Sequence, residues 1–67
     1  MKIINYVKEV RLEKGLSQSE LAKLSDTTRL TISNIEKSIH VPGLYLAHKI
    51  ANALNVNLET LFVVIDP

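Results

Sequence analysis

The sequence contains few side chains able to make or break bonds. It has no cysteine, which excludes thiolate nucleophiles, disulfides and thiolate metal sites. His40 and His48 stand eight residues apart with no acidic cluster beside them, a poor arrangement for a metal. Ser17 and Ser19 lack the histidine and carboxylate that would activate a hydroxyl, and no glycine-rich phosphate loop is present. The expectation is therefore no catalytic residue, no metal and no cofactor. What the Arg, Asn, Gln, Ser and Thr side chains offer instead is hydrogen bonding of defined geometry, which is the chemistry of recognition.

The elements that must position these side chains read as helices. Residues 6–14 are good helix formers and end at Gly15, which takes a left-handed backbone cheaply. Leu16 can then fold back onto the last turn. Ser17 and Glu20 form S-x-x-E, a capping box that opens a second, short helix. Ser25-Asp26-Thr27-Thr28 is turn and cap chemistry, with Asp26 tolerating a left-handed backbone. Thr28 caps a third helix over 29–37, in which Ile32 and Ile35 face one side while Arg29, Leu30, Ser33 and Asn34 lie largely off it. A loop over 38–43 stops at Pro42. Residues 44–54 form the clearest helix, because Ala47, Ile50, Ala51 and Leu54 follow the i, i+3, i+4, i+7 pattern. Asn55 ends it, and Asn57 caps a last short helix over 58–61. Phe62-Val63-Val64-Ile65 is β-branched and aromatic, which favours a strand. Lys2-Ile3-Ile4 matches it, so the two ends are expected to pair as a small sheet supported by the helices.

A chain of 67 residues is one domain, 1–67, whose core supplies only about 3–5 kcal/mol of net stability. A partner subunit is the leading source of more. No run reaches the ~18 apolar residues of a membrane span, and the first residues lack a signal peptide's apolar stretch. No membrane partner is expected, and the absence of cysteine fits the cytoplasm. The net charge of +1 is a weak signal for nucleic acid.

Helix two, its turn and helix three, roughly 17–37, make a helix-turn-helix. Ser17-Gln18-Ser19-Glu20-Leu21-Ala22, Thr31-Ile32-Ser33-Asn34-Ile35-Glu36, Pro42 and Ile50-Ala51-Asn52-Ala53-Leu54-Asn55-Val56 together resemble the phage-repressor and Cro-type (XRE-like) helix-turn-helix family. The likeness runs over about 6–62. The terminal apolar segments are similar to those of compact dimeric repressors that add a two-stranded sheet, such as the cytolysin repressor. The resemblance implies a mainly α, five-helix lambda-repressor-like DNA-binding domain with a small antiparallel sheet. It also implies specific roles. Helix three lies in the major groove of double-stranded DNA, presenting Thr28, Arg29, Leu30, Ser33 and Asn34. Gln18, at the start of helix two, sits beside phosphate. Arg29 suits guanine O6 and N7, and Asn34 suits adenine N6 and N7. Leu30 departs from the family's usual polar residue. It either packs on a thymine methyl or covers a neighbouring side chain. Lys37 belongs to the same interface. His40 either donates to phosphate or is solvated, and Tyr45 packs, with a phosphate contact open to it.

Arg11 and Glu36 occupy positions where the family carries an internal ion pair that orients helix three. The alternative is a solvated Glu36. The family further implies dimerisation through the loop after helix three and the last helix, where Val41, Leu58 and Phe62 stand. The alternative for Leu58 and Phe62 is closure of the monomer core. Asp26 and Ser38 replace glycines common in the family, and Ser25 and Thr27 are polar where it tends to be apolar. Each change is expected to weaken the motif by some tenths of a kcal/mol or more. The function implied is a transcriptional regulator, a repressor that binds a two-fold symmetric operator as a homodimer, with no small-molecule effector. Two rivals share the fold. One is the antitoxin of a toxin–antitoxin pair, with FVVIDP as its only available partner-binding segment. The other is a protein-interaction module that does not bind DNA.

Overall fold

The computed structural model describes residues 1–66. Along the chain run β1 (Lys2–Asn5), α1 (Val7–Glu13), α2 (Gln18–Leu24), α3 (Arg29–Glu36), α4 (Leu44–Leu54), α5 (Leu58–Leu61) and β2 (Phe62–Ile65). The elements expected from the sequence are all present, with ends displaced by a residue: Tyr6 and Lys14 cap α1, Lys37 caps α3, and β1 extends to Asn5.

Local side-chain chemistry explains where α2 and α3 start. Ser17 Oγ accepts from Glu20 N at 3.0 Å while Glu20 Oε1 accepts from Ser17 N at 2.8 Å. The Ser17 backbone N–H and hydroxyl hold the Glu20 carboxyl below its ordinary pKa. This lowered value means the cap's charged contribution is present above the usual carboxylate range and is lost as pH falls through it. Thr28 Oγ1 accepts from Thr31 N at 3.1 Å. Asn57 occupies the N-cap position of α5 but makes no side-chain cap bond, so its expected capping is corrected. So short a helix has little stability of its own, and packing of the buried Leu61 holds it instead.

Four of the helices end in one pattern. After α1, Gly15 N donates to Leu12 O at 3.0 Å and Leu16 N to Arg11 O at 3.1 Å, which is a Schellman motif. The same pair of bonds follows α2 at Asp26 and Thr27, α3 at Ser38 and Ile39, and α4 at Asn55 and Val56. The pivots Gly15, Asp26, Ser38 and Asn55 have φ of 72°, 59°, 61° and 57°. Only one is glycine, so three side chains sit in a left-handed region that disfavours them. Two of these are tied down: Lys49 Nζ donates to Asp26 Oδ2 at 3.2 Å, and Asn5 Nδ2 donates to Ser38 Oγ at 3.1 Å. The bond to Asp26 holds the Lys49 ammonium above its ordinary pKa.

The strands pair antiparallel, with Ile3 opposite Val64 and Asn5 opposite Phe62. Tyr6 N continues the pairing to Leu61 O at 2.8 Å. The core gathers Val7 and Val10 of α1, Leu21 and Ala22 of α2, Ile32 and Ile35 of α3, Ile50, Ala51 and Leu54 of α4, and Leu61. Ser25, read from the sequence as a turn residue, is fully buried at the end of α2, and its Oγ has no hydrogen-bond partner.

α3 is fixed to this core by charge as well as by packing. Glu36 has a side chain only 3% exposed, and Arg11 one 8% exposed. Arg11 Nε donates to Glu36 Oε2 at 2.7 Å and Nη2 to Oε1 at 3.1 Å, a bidentate fork. Arg11 Nη1 donates to Leu16 O at 2.9 Å. The solvated alternative for Glu36 does not describe this geometry.

Two stability measurements follow. Ser25→Ala removes a desolvated hydroxyl and is expected to raise stability by about 1 kcal/mol, or ~4–8 °C in thermal midpoint for a domain of this size. A fall would mean that the hydroxyl is bonded in solution. Arg11→Ala strands a buried carboxylate at a cost of about 3–5 kcal/mol, comparable with the whole stability of so small a domain. Circular dichroism at 25 °C should show it largely unfolded, and Arg11→Met with Glu36→Leu should restore helicity.

Candidate nucleic-acid interface

α2 and α3 pack through Leu21, Ala22, Ile32 and Ile35, all buried. At about 100° per residue, the middle of the Ile32 and Ile35 stripe lies roughly 170° from Leu30. Ser33, Asn34 and Lys37 fall within about 60° of Leu30 on the same outward face, with Arg29 at its margin. Arg29, Leu30 and Lys37 are exposed, and Ser33 and Asn34 are half-buried. Leu30 is 67% exposed, so it is not tucked beneath a neighbour. Burial of two isoleucines thus dictates which side chains α3 turns outward.

The flanking positions are more committed than the sequence indicated. Gln18 Nε2 donates to Glu36 Oε1 at 3.0 Å, so one N–H of its amide is spent inside the chain and a second remains. The Thr28 hydroxyl is occupied with capping, at 3.1 Å from Thr31 N and 2.9 Å from Thr31 Oγ1. The Asn34 carbonyl accepts from both Ile39 N and His40 N, which fixes where the loop leaves α3. His40 is exposed on that loop. Tyr45, expected to pack, is 76% exposed, and its ring centroid lies 5.1 Å from Lys49 Nζ, a cation–π contact.

Two positioning residues were missed. Asn5 Nδ2 donates to Ile35 O at 3.0 Å as well as to Ser38 Oγ, tying the sheet to the C-terminal end of α3. Lys49 ties α4 to the turn between α2 and α3. Both act across long sequence separations, where no local pattern signals them. Asp26 in a glycine-like position was the available hint for Lys49.

Val41, Leu58 and Phe62 come together. With Ile3, Leu44 and Val64 they line an apolar groove of about 250 Å³. Val41 and Leu44 are 59% and 77% exposed, whereas Leu58 and Phe62 are half-buried and pack against the core. The monomer-core role therefore applies to part of each of those two side chains, and the remainder faces the groove. Among the described residues no histidine, cysteine and carboxylate group could hold a metal, and no helix is long and apolar enough to cross a membrane.

A family model described as helix-turn-helix matches residues 7–61. The HTH-type transcriptional regulator YgzD of Bacillus subtilis (strain 168) is 43% identical over 58 residues, spanning 87% of this chain and 88% of that protein. The restriction-modification controller protein C.AhdI from Aeromonas hydrophila superposes with a TM-score of 0.78 at 33% identity, covering 81% of this chain and 82% of that one. The N-terminal DNA binding domain of SinR from Bacillus subtilis gives 0.75 at 33% identity, covering 81% and 80%. With its motif built on α2 and α3 and the family pattern running from α1 through α5, the chain belongs to the helix-turn-helix family of transcriptional regulators.

Proposed function

We propose that this regulator binds a two-fold symmetric operator in double-stranded DNA as a homodimer and represses transcription by occupying a promoter. The observation that carries the reading is the outward face of α3, where Arg29, Leu30, Ser33, Asn34 and Lys37 stand opposite the buried Ile32 and Ile35. A helix exposing this set fits the width of the major groove. Relatives named as transcriptional regulators, and similar structures named as a controller protein and a DNA binding domain, support it.

In this reading Arg29 takes guanine O6 and N7, and Asn34 takes adenine. The second N–H of Gln18, together with Lys37 and His40, donates to phosphate and sets the register. Thr28 contributes mainly by starting α3 at the groove edge. Phosphate contacts carry most of the affinity, so binding falls steeply with salt. The groove lined by Val41, Leu58 and Phe62 meets its copy across a two-fold axis, placing two α3 helices about one turn of DNA apart. The chain works in the cytoplasm with its DNA, and without a cofactor or small-molecule effector.

One observation favours a different reading. A net charge of +1 is low for a DNA-binding domain and fits a protein-interaction module of the same fold. Selection of bound duplexes from a random library, at a stated salt concentration, separates the two. The proposal expects a short two-fold symmetric site; absence of any enriched sequence would favour the module.

Two variants test the residue roles. Arg29→Ala should cost about 1–3 kcal/mol of binding and relax preference at one base position in each half-site. Uniform weakening across all sequences would make Arg29 a phosphate contact. Leu58→Glu places a charge in the apolar groove and should convert the dimer to monomer in sedimentation, whereas an unchanged profile would move the interface elsewhere.

A further inference from the structure

Leu30 is an apolar side chain at the centre of a polar face. Its nearest helical neighbours on that face, Ser33 and Asn34, carry hydrogen-bonding groups. It points about 170° away from the core stripe of α3, so its 67% exposure is not relieved by packing within the chain. It stands in the first turn of α3, directly after Arg29. In the major groove nearly every group on the base edges is a hydrogen-bond donor or acceptor, and the apolar exception is a methyl on pyrimidine C5. Set against a donor or acceptor, a leucine strips water without replacing it. Set against a methyl, it buries apolar surface on both partners.

We infer that Leu30 is a specificity-determining residue that reads the C5-methyl group of a pyrimidine, within a base-pair step of the guanine taken by Arg29. The inference rests on the DNA-binding reading above. The recognised chemistry is the methyl itself, which thymine carries and which cytosine gains when methylated at C5. Leu30 therefore makes the operator sensitive to the methyl content of one position per half-site, and cytosine methylation there substitutes for thymine.

The test starts from the duplex selected out of the random library. Each thymine of one half-site is replaced in turn by deoxyuridine, which removes only the methyl. Wild-type protein should lose about fourfold in affinity at one thymine, and about sixteenfold when both half-sites are changed, the factor expected for one buried methyl each. Leu30→Ala, whose melting temperature should match wild type because the side chain is exposed, should bind the thymine and deoxyuridine duplexes equally. At the same position, 5-methylcytosine should bind more tightly than cytosine by a similar factor. Equal binding of the two cytosines would overturn the claim that a methylated cytosine substitutes for thymine, even with thymine still favoured over deoxyuridine. If wild type binds the selected duplex and no deoxyuridine replacement weakens it, the methyl assignment is overturned and the DNA-binding reading stands. If no sequence is selected at all, both fall.

Discussion

The structure depends on a carboxylate that has been taken out of water. The Glu36 side chain is 3% exposed, and an ion in that position persists only if its oxygens are met by donors. Three N–H bonds meet them, two from Arg11 and one from Gln18. A further Arg11 N–H reaches the Leu16 carbonyl. One charge pair therefore joins α1, the loop after it, the first residue of α2 and the last turn of α3. Any rotation of α3 would break bonds that nothing else in so dry a place can replace. Asn5, bonded to the Ile35 carbonyl one residue earlier, holds the same end of α3 from the sheet side. The outward face of α3, which runs from Arg29 in its first turn to Lys37 at its C-cap, is thus aimed from its last turn.

The helix ends show how the chain keeps its turns tight with little glycine. Four helices stop in the same hydrogen-bonded pattern, yet only Gly15 is free of a side-chain penalty. Asp26 and Ser38 offset part of their cost with bonds to Lys49 and Asn5. These bonds also reach from the helix-turn-helix to α4 and to β1. The bond to Asp26 is solvent-exposed, and exposed ion pairs are individually weak. Their effect is to make the geometry of the motif depend on the rest of the domain.

Much of this was legible in the sequence, for identifiable reasons. The capping box at Ser17 and Glu20, Gly15 after α1, and the apolar period of α4 are local signals, and local hydrogen bonding and packing obey them. Arg29, Leu30, Ser33 and Asn34 could be set on the outward side of α3 because Ile32 and Ile35 mark its inward side. Pairing of Arg11 with Glu36 came from family resemblance, supported by the place of Glu36 beside the inward Ile32 and Ile35 and the need of a buried carboxylate for a partner. Asn5 and Lys49 were not legible, because their partners lie 23 to 33 residues away and are partly backbone atoms. Ser25 lies in the turn after α2, as its composition indicates, and standing where the family tends to be apolar was the one hint that its hydroxyl is sealed from water.

The account stands on the claim that the buried pair aims α3. The most direct measurement uses the double variant Arg11→Met with Glu36→Leu, which replaces the pair by apolar volume. Its affinity for the selected duplex and for a random duplex should be compared with wild type at one salt concentration. The account predicts a folded protein that keeps its affinity for random DNA, while its preference for the selected duplex falls by about tenfold or more, the loss of at least one base contact. A folded double variant with undiminished preference would contradict it, and packing alone would then suffice to orient α3.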